Sequence, residues 1–207
     1  MIELIMKRCS GLLSIRYRYL MILFVCLAMV CQPALGQMAG AMLAWGKMEN
    51  NGFNIYFSQR TEQNWSTPKQ LSFSDDLEIL PTLAANDRRE IWVAWTAIKN
   101  GDGEINFSHY QNGKWSSPKS IQTQNTADMA PSAIVDGNGD AWLVWAGTDQ
   151  GDDDIFFSKW ENRAWTLPAK VNVDDEWPDI LPQLSLTANG MPQVTWSGYD
   201  GNCFRSS

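Results

Sequence analysis

The chain has 207 residues, with 16 Lys and Arg against 23 Asp and Glu, a formal net charge of −7 and a pI near 4.7. That balance excludes the basic footprint on which nucleic-acid binding rests, and it disfavours anionic membrane surfaces. Eleven tryptophans supply large aromatic side chains for a core.

The first predicted element is a targeting segment. Lys7, Arg8, Arg16 and Arg18 form a basic lead, residues 20–31 read LMILFVCLAMVC without a break, and small residues Ala34 and Gly36 follow. This is the pattern of a secretory signal peptide over residues 1–36, cut after Gly36. The apolar run is shorter than the roughly 20 residues a spanning helix needs. The membrane is therefore involved only if the segment is retained as an anchor, and the expected location is secreted, periplasmic or cell-surface. Without the leader, 12 basic residues face 22 acidic ones, about −10. Cys203 is the one cysteine left after the leader, so no internal disulfide is expected.

Beyond the leader the chain repeats itself. Trp45, Trp95, Trp145 and Trp196 each close a short apolar run. Ile55, Ile105 and Ile155 follow the first three, then Ser58, Ser108 and Ser158, then Trp65, Trp115 and Trp165, then Pro68, Pro118 and Pro168. Pro81, Pro131 and Pro182 open the next units. In the second unit the runs are PTLAA, IWVAWTA, EINFSHY and KWSSPKSI, separated by NDRRE, IKNGDG and QNG, the middle of these a loop. Apolar residues occupy both faces of several runs, as expected of strands buried on both sides. Four short antiparallel strands per repeat predict an all-β propeller of four-stranded blades. A β-solenoid would have a shorter period, and a sandwich would not repeat.

The segments SQRTEQNW, SHYQNGKW and SKWENRAW keep the length, Ser and Trp of one hairpin. Each resembles a degenerate Asp box, the Ser-x-Asp-x-Gly-x-x-Trp hairpin of sialidase-like, BNR-repeat β-propellers. The Asp position holds Arg60, Tyr110 and Trp160, and the Gly position holds Glu62, Asn112 and Asn162. The resemblance covers residues 37–207 and implies the fold, with the hairpin as a structural clasp.

The propeller is expected to be incomplete, about three to three and a half blades. A partial blade spans 41–71, blades follow at 81–121 and 131–173, and a truncated one at 182–207. Two explanations stand: a truncated or frame-shifted product, or several copies that self-associate to close a ring across open edges.

The sialidase resemblance implies three arginines on the substrate carboxylate, a Tyr/Glu pair and a further acid. The arginines after the leader are Arg60, Arg88, Arg89, Arg163 and Arg205. Their positions in turns and in the tail give no triad at a channel mouth, so no catalytic residue is carried over. His109 alternates out of a strand and reads as solvent-facing or satisfied within the fold. Glu78, Asp128 and Asp179 each precede the repeated Pro by three residues. They are candidate ligand-binding groups at the channel entrance, or else acceptors of backbone N–H groups in the linker. Trp177 breaks the repeat in the linker DDEWPDILP, either as a sugar platform or as a wedge between blades. Asp149, Asp152, Asp153 and Asp154 in DQGDDD are a candidate cation site, with Ca²⁺ as the one cofactor considered. DGNGD, Asp136 to Asp140, reads as a tight turn.

The expected function is non-catalytic binding of a glycan or an extracellular protein. The alternatives are a fragment of an exo-sialidase-like glycoside hydrolase, and a purely structural or interaction module.

Overall fold

The computed structural model describes residues 28–30, 41–49, 52–171, 177–199, 201 and 203–206, and all regular structure among them is β. The first unit comprises β1 (Ala28–Val30), β2 (Met42–Glu49), β3 (Gly52–Gln59) and β4 (Lys69–Gln70). The second holds β5 (Leu77–Ala85), β6 (Ile91–Lys99), β7 (Asp102–Gln111), β8 (Lys114–Trp115) and β9 (Lys119–Ser120). The third repeats this as β10 (Ala127–Val135), β11 (Ala141–Asp149), β12 (Asp152–Glu161), β13 (Ala164–Trp165) and β14 (Ala169–Lys170). The fourth has β15 (Asp179–Leu186), β16 (Pro192–Tyr199) and β17 (Phe204–Ser206). Pairing within each unit is antiparallel and follows chain order, and Phe53 pairs with Leu77 in parallel to join the first two units.

Three residues of the predicted leader, Ala28–Val30, pair with β2, and the rest of residues 1–36 lies outside the described residues. Among the described residues no helix is long and apolar enough to cross a membrane.

The central strands are built for burial on both faces. Ile91–Lys99, IWVAWTAIK, is β-branched and aromatic, and its first seven positions are buried. One face packs backwards: Leu83, Val93 and Trp95 join Met42, Ala44, Ile55 and Phe57 of the first unit. The other packs forwards: Ala94, Ile105 and Phe107 meet Leu143 and Trp145 of the third unit. Val144, Ala146 and Ile155 then receive Leu184, Val194 and Trp196 of the fourth. Backbone N–H groups fasten the same joints, Ala133 to Thr82 Oγ1 at 3.0 Å and Leu184 to Ser132 Oγ at 3.0 Å.

The first strand of the second, third and fourth units begins upstream of its proline, at Leu77, Ala127 and Asp179. A proline reads as a strand boundary because it has no N–H to donate. Here it sits in a β-bulge, with register shifts at Ile79/Thr82, Met129/Ser132 and Ile180/Gln183. The preceding residue, Leu80, Ala130 or Leu181, has φ of 53°, 54° or 55°. Proline bars that residue from the right-handed helical region, and the bulge places it in the left-handed one.

The expected 98–103 loop is a two-residue turn. Lys99 pairs with Asp102 across Asn100 and Gly101, and Asp149 pairs with Asp152 across Gln150 and Gly151. Positive φ at both central residues defines the hairpin turn that matches strand twist.

Candidate functional site

The three in-phase carboxylates come first, because they are the most regular polar feature of the sequence. Glu78 is 2% exposed. The Trp95 indole Nε1–H donates to its Oε1 at 3.0 Å, and the Ser72 hydroxyl donates to its Oε2. Burial pushes the Glu78 carboxyl above the usual carboxylate range, against the hydrogen bonds from Ser72 and Trp95. Asp128, also buried, accepts from Trp145 Nε1 at 2.7 Å, Asn125 Nδ2 at 2.7 Å and Thr123 Oγ1 at 2.6 Å. Gly147 makes room for this cluster, since a Cβ there would lie 2.1 Å from Asn125 Nδ2. Asp179 is buried at the start of β15. Glu78 and Asp128 are thus turned to side-chain donors, a tryptophan of their own unit and hydroxyl or amide groups of the preceding linker, rather than to the backbone N–H groups expected there. They anchor the edge of a core tryptophan.

The DQGDDD aspartates divide their oxygens among different partners. Lys170 Nζ lies 2.7 Å from Asp154 Oδ2 and 3.3 Å from Asp149 Oδ2, an ammonium between two carboxylates. Asp153 Oδ1 accepts the Thr148 hydroxyl at 2.6 Å, and Asp152 Oδ1 accepts the Asp153 N–H at 2.9 Å. Among the described residues no three Asp, Glu, His or Cys side chains form a metal-holding group. DGNGD is a turn: Asp136 Oδ1 accepts the Asn138 and Asp140 N–H groups, and Oδ2 accepts Trp142 Nε1–H.

His109 is interior rather than solvent-facing. Its ring stacks on Trp92 at 4.8 Å and meets Trp160 of the third unit at 4.8 Å, with Nε2 3.8 Å from Glu90. Burial lowers its pKa, against the attraction of Glu90.

Trp177 and the β11–β12 turn meet in a cleft of about 390 Å³. Gly151, Asp152 and Asp153 of the third unit line it together with Trp177, Pro178, Tyr199 and Phe204. Trp177 is 43% exposed and Phe204 46%, so both present ring surface to solvent. Tyr199 links them, its ring centroid 5.3 Å from that of Trp177 and 5.2 Å from that of Phe204. The Tyr199 N–H donates to Pro178 O at 3.1 Å, tying the linker to the end of β16. Gly201 passes beneath the indole, where a Cβ would come 3.1 Å from Trp177 Cζ2. The cleft thus brings exposed aromatic surface and two aspartates of the β11–β12 hairpin together. Of the candidate residues, the fold gathers Trp177, Asp152 and Asp153 here. Tyr199 ends β16 at a position held by Ile98 and Thr148 in the earlier units, and Phe204 lies in the tail where the repeat pattern breaks, so no periodic signal marks either.

No protein-family model matches the sequence, and no curated protein sequence matches it. Solved structures do. A protein of unknown function from Dyadobacter fermentans superposes with a TM-score of 0.66 at 11% identity, over 88% of this chain and 65% of the other. A Hadza microbial sialidase gives 0.61 at 14% identity, over 88% of this chain and 44% of the other. NanB sialidase from Streptococcus pneumoniae gives 0.59 at 12% identity, over 84% of this chain and 28% of the other. An endo-arabinase and an ulvan lyase are also among the similar structures. At such identities the likeness is one of fold, and the fold is that of the sialidase-like β-propellers. The chain spans less than two thirds of the length of each of the first three.

Proposed function

We propose that this is a secreted, non-catalytic carbohydrate-binding propeller whose ligand occupies the Trp177 cleft. Its repeats are four-stranded blades of which the chain supplies about three and a half. The observation that carries the reading is the cleft itself. An exposed indole offers a flat apolar surface to the C–H face of a sugar ring, and polar residues Asp152 and Asp153 line the same cleft. The similar structures support it, since several are named as enzymes acting on glycans. The Asp149 and Asp154 carboxylates already pair with Lys170, so the reading gives calcium no role.

Titration of folded protein against a panel of oligosaccharides tests this, read by tryptophan fluorescence and calorimetry. At least one glycan is expected to bind, and Trp177→Ala should weaken it tenfold or more, about 1.4 kcal/mol, at unchanged melting temperature. A panel that stays silent for the folded chain removes the reading. A second reading, part of a glycan-processing enzyme, is favoured by the fraction of the two sialidases that the chain spans, 44% and 28%. Hydrolysis of a sialoside by this chain would select it.

A further inference from the structure

We propose that the joint between the second and third units is acid-sensitive: the His109 imidazole is neutral while Trp160 covers it, and a proton taken up there on acidification opens the joint. The device is independent of what the Trp177 cleft binds. It rests first on two departures from the repeat. His109 is the one histidine of the chain, at a place that holds Gln59 in the first unit and Lys159 in the third. Trp160 stands where the earlier units have Arg60 and Tyr110. The fold brings the two together across the joint, with ring centroids 4.8 Å apart. Trp92 of the second unit completes a triangle, 4.8 Å from the imidazole and 6.0 Å from Trp160. The His109 side chain is 10% exposed. Its Nε2 and the Trp92 Nε1 are buried with no hydrogen-bond partner among the described residues.

A charged imidazole must donate from both ring nitrogens. The carboxylate beside Nε2, Glu90 Oε1, is 3.8 Å away, beyond hydrogen-bond reach. That carboxylate is already shared. Gln111 Nε2 donates to Oε1, Asn86 Nδ2 donates to Oε2 at 2.8 Å, and Arg88 Nε lies 3.6 Å from Oε2. On the facing element, Lys159 and Glu161 flank Trp160 in β12, and strand alternation sends them to the face away from it. There Lys159 Nζ pairs with Glu161 at 3.2 Å and with Asp140 of the β10–β11 turn at 3.0 Å. The indole faces and Glu90 favour the cation, and burial opposes it. Burial dominates and holds the His109 pKa below its ordinary 6.5.

The third unit shows what the same frame does with a permanent cation. Trp142, Asp140 and Lys159 are the counterparts of Trp92, Glu90 and His109. Lys159 Nζ stands 5.3 Å over the Trp142 ring and 3.0 Å from Asp140, and its side chain keeps 25% exposure. The acid meets that cation directly, and the pair stays partly open to solvent. In the second unit the acid is out of reach and Trp160 covers the ring, so a proton on His109 favours the arrangement in which the cover has parted. The sign follows from linkage. With the folded pKa below the unfolded one, the joint is at full strength above about 6.5 and weakens as pH falls from there through the folded value.

The joints can be read separately. Ala130 N–H donates to Thr96 Oγ1 at 3.1 Å and Ala133 N–H to Thr82 Oγ1 at 3.0 Å, both across this joint. Leu184 N–H donates to Ser132 Oγ at 3.0 Å across the next one. Nuclear magnetic resonance of the intact chain follows the imidazole and these amides from about pH 8 to about pH 5. The imidazole midpoint is expected below 6.5. Exchange protection of Ala130 and Ala133, corrected for the intrinsic effect of pH, should fall about tenfold or more from about pH 7 to about pH 5, while that of Leu184 holds. Trp160→Ala uncovers the ring and should move the midpoint up towards 6.5. His109→Gln, which installs the first unit's side chain, should flatten the pH dependence of protection whatever its own stability. A midpoint at or above 6.5 in the parent chain overturns the proposal. So does an equal loss at Leu184, the same loss in His109→Gln, or an unmoved midpoint in Trp160→Ala.

Discussion

The carboxylate beneath each core tryptophan shows how one residue serves the fold. Trp95 and Trp145 are each fully buried, and each needs an acceptor for its indole N–H. Glu78 and Asp128 supply it, in both cases seventeen residues earlier. Glu78→Ala would leave the Trp95 Nε1–H buried without its partner and should cost about 1–3 kcal/mol. Glu78→Gln keeps an acceptor and removes the charge. The folded-state pKa of Glu78 is raised, so its contribution is fully present below the unfolded value and is lost as pH rises through the folded one. The Gln variant should therefore gain on the parent as pH rises from about 4 to about 7. Parallel urea melts at the two values check this, and a difference that falls with pH would refute it. The spacing from acid to proline was legible in the sequence. Its meaning was not, because a carboxylate in phase with a repeat reads the same way whether it faces a ligand or an indole.

At the scale of the element, the hairpin closing each unit is a clasp of two hydroxyls. Ser58, Ser108 and Ser158 donate from Oγ to the carbonyls of Ser66, Ser116 and Thr166 at 2.7, 2.8 and 2.8 Å. The hydroxyls of Ser66, Ser116 and Thr166 in turn accept the N–H of Gln59, His109 and Lys159 at 3.1, 3.1 and 3.0 Å. The Trp of the second and third hairpins packs on the preceding unit, Trp115 on Phe57 at 5.1 Å and Trp165 on Phe107 at 6.0 Å. The sequence frame revealed the Ser and the Trp but not the Ser or Thr after the Trp, whose role appears only once the strands are paired. Ser108→Ala should cost about 1–2 kcal/mol, since Ser108 is fully buried and Ser116 O loses its donor. With Ser116→Ala added, the two losses should fall short of additive in a double-mutant cycle, because both cut one clasp. Strict additivity would show that the hydroxyls act separately.

At the scale of the whole molecule, the forward face of each unit decides whether another can follow. Ala84, Trp92 and Ala94 of the second unit, and Ile134, Trp142 and Val144 of the third, occupy positions held in the fourth by Ser185, Gln193 and Thr195. In the fourth unit all three are exposed. Its backward residues Leu184, Val194 and Trp196 remain apolar and packed. The fourth unit is thus apolar behind and polar at these forward positions, with Leu186 and Met191 exposed beside them. At these three positions the fourth unit offers a further unit or copy less apolar surface than its neighbours do. The chain should accordingly sediment as a monomer at about 10 μM, well above the Kd that a well-packed apolar interface would give. Gln193→Trp with Thr195→Val restores the pattern of the other units and should drive association. A parent chain that already sediments as a closed oligomer would reverse this account.

The sequence by itself determined the all-β character, the repeat and the strands. Those features follow from local alternation, β-branched and aromatic content, and turn residues, which act over a few positions at a time. It also singled out Trp177, Asp152 and Asp153. Only the tertiary structure decided that these three share a cleft with Tyr199 and Phe204, that Lys170 sits between Asp149 and Asp154, and that His109 lies between Trp92 and Trp160. The Lys170 meeting depends on strand pairing within the third unit, and the other two depend on how one unit is seated on the next. That seating is set by the summed packing of two sheet faces, which no short stretch of sequence carries.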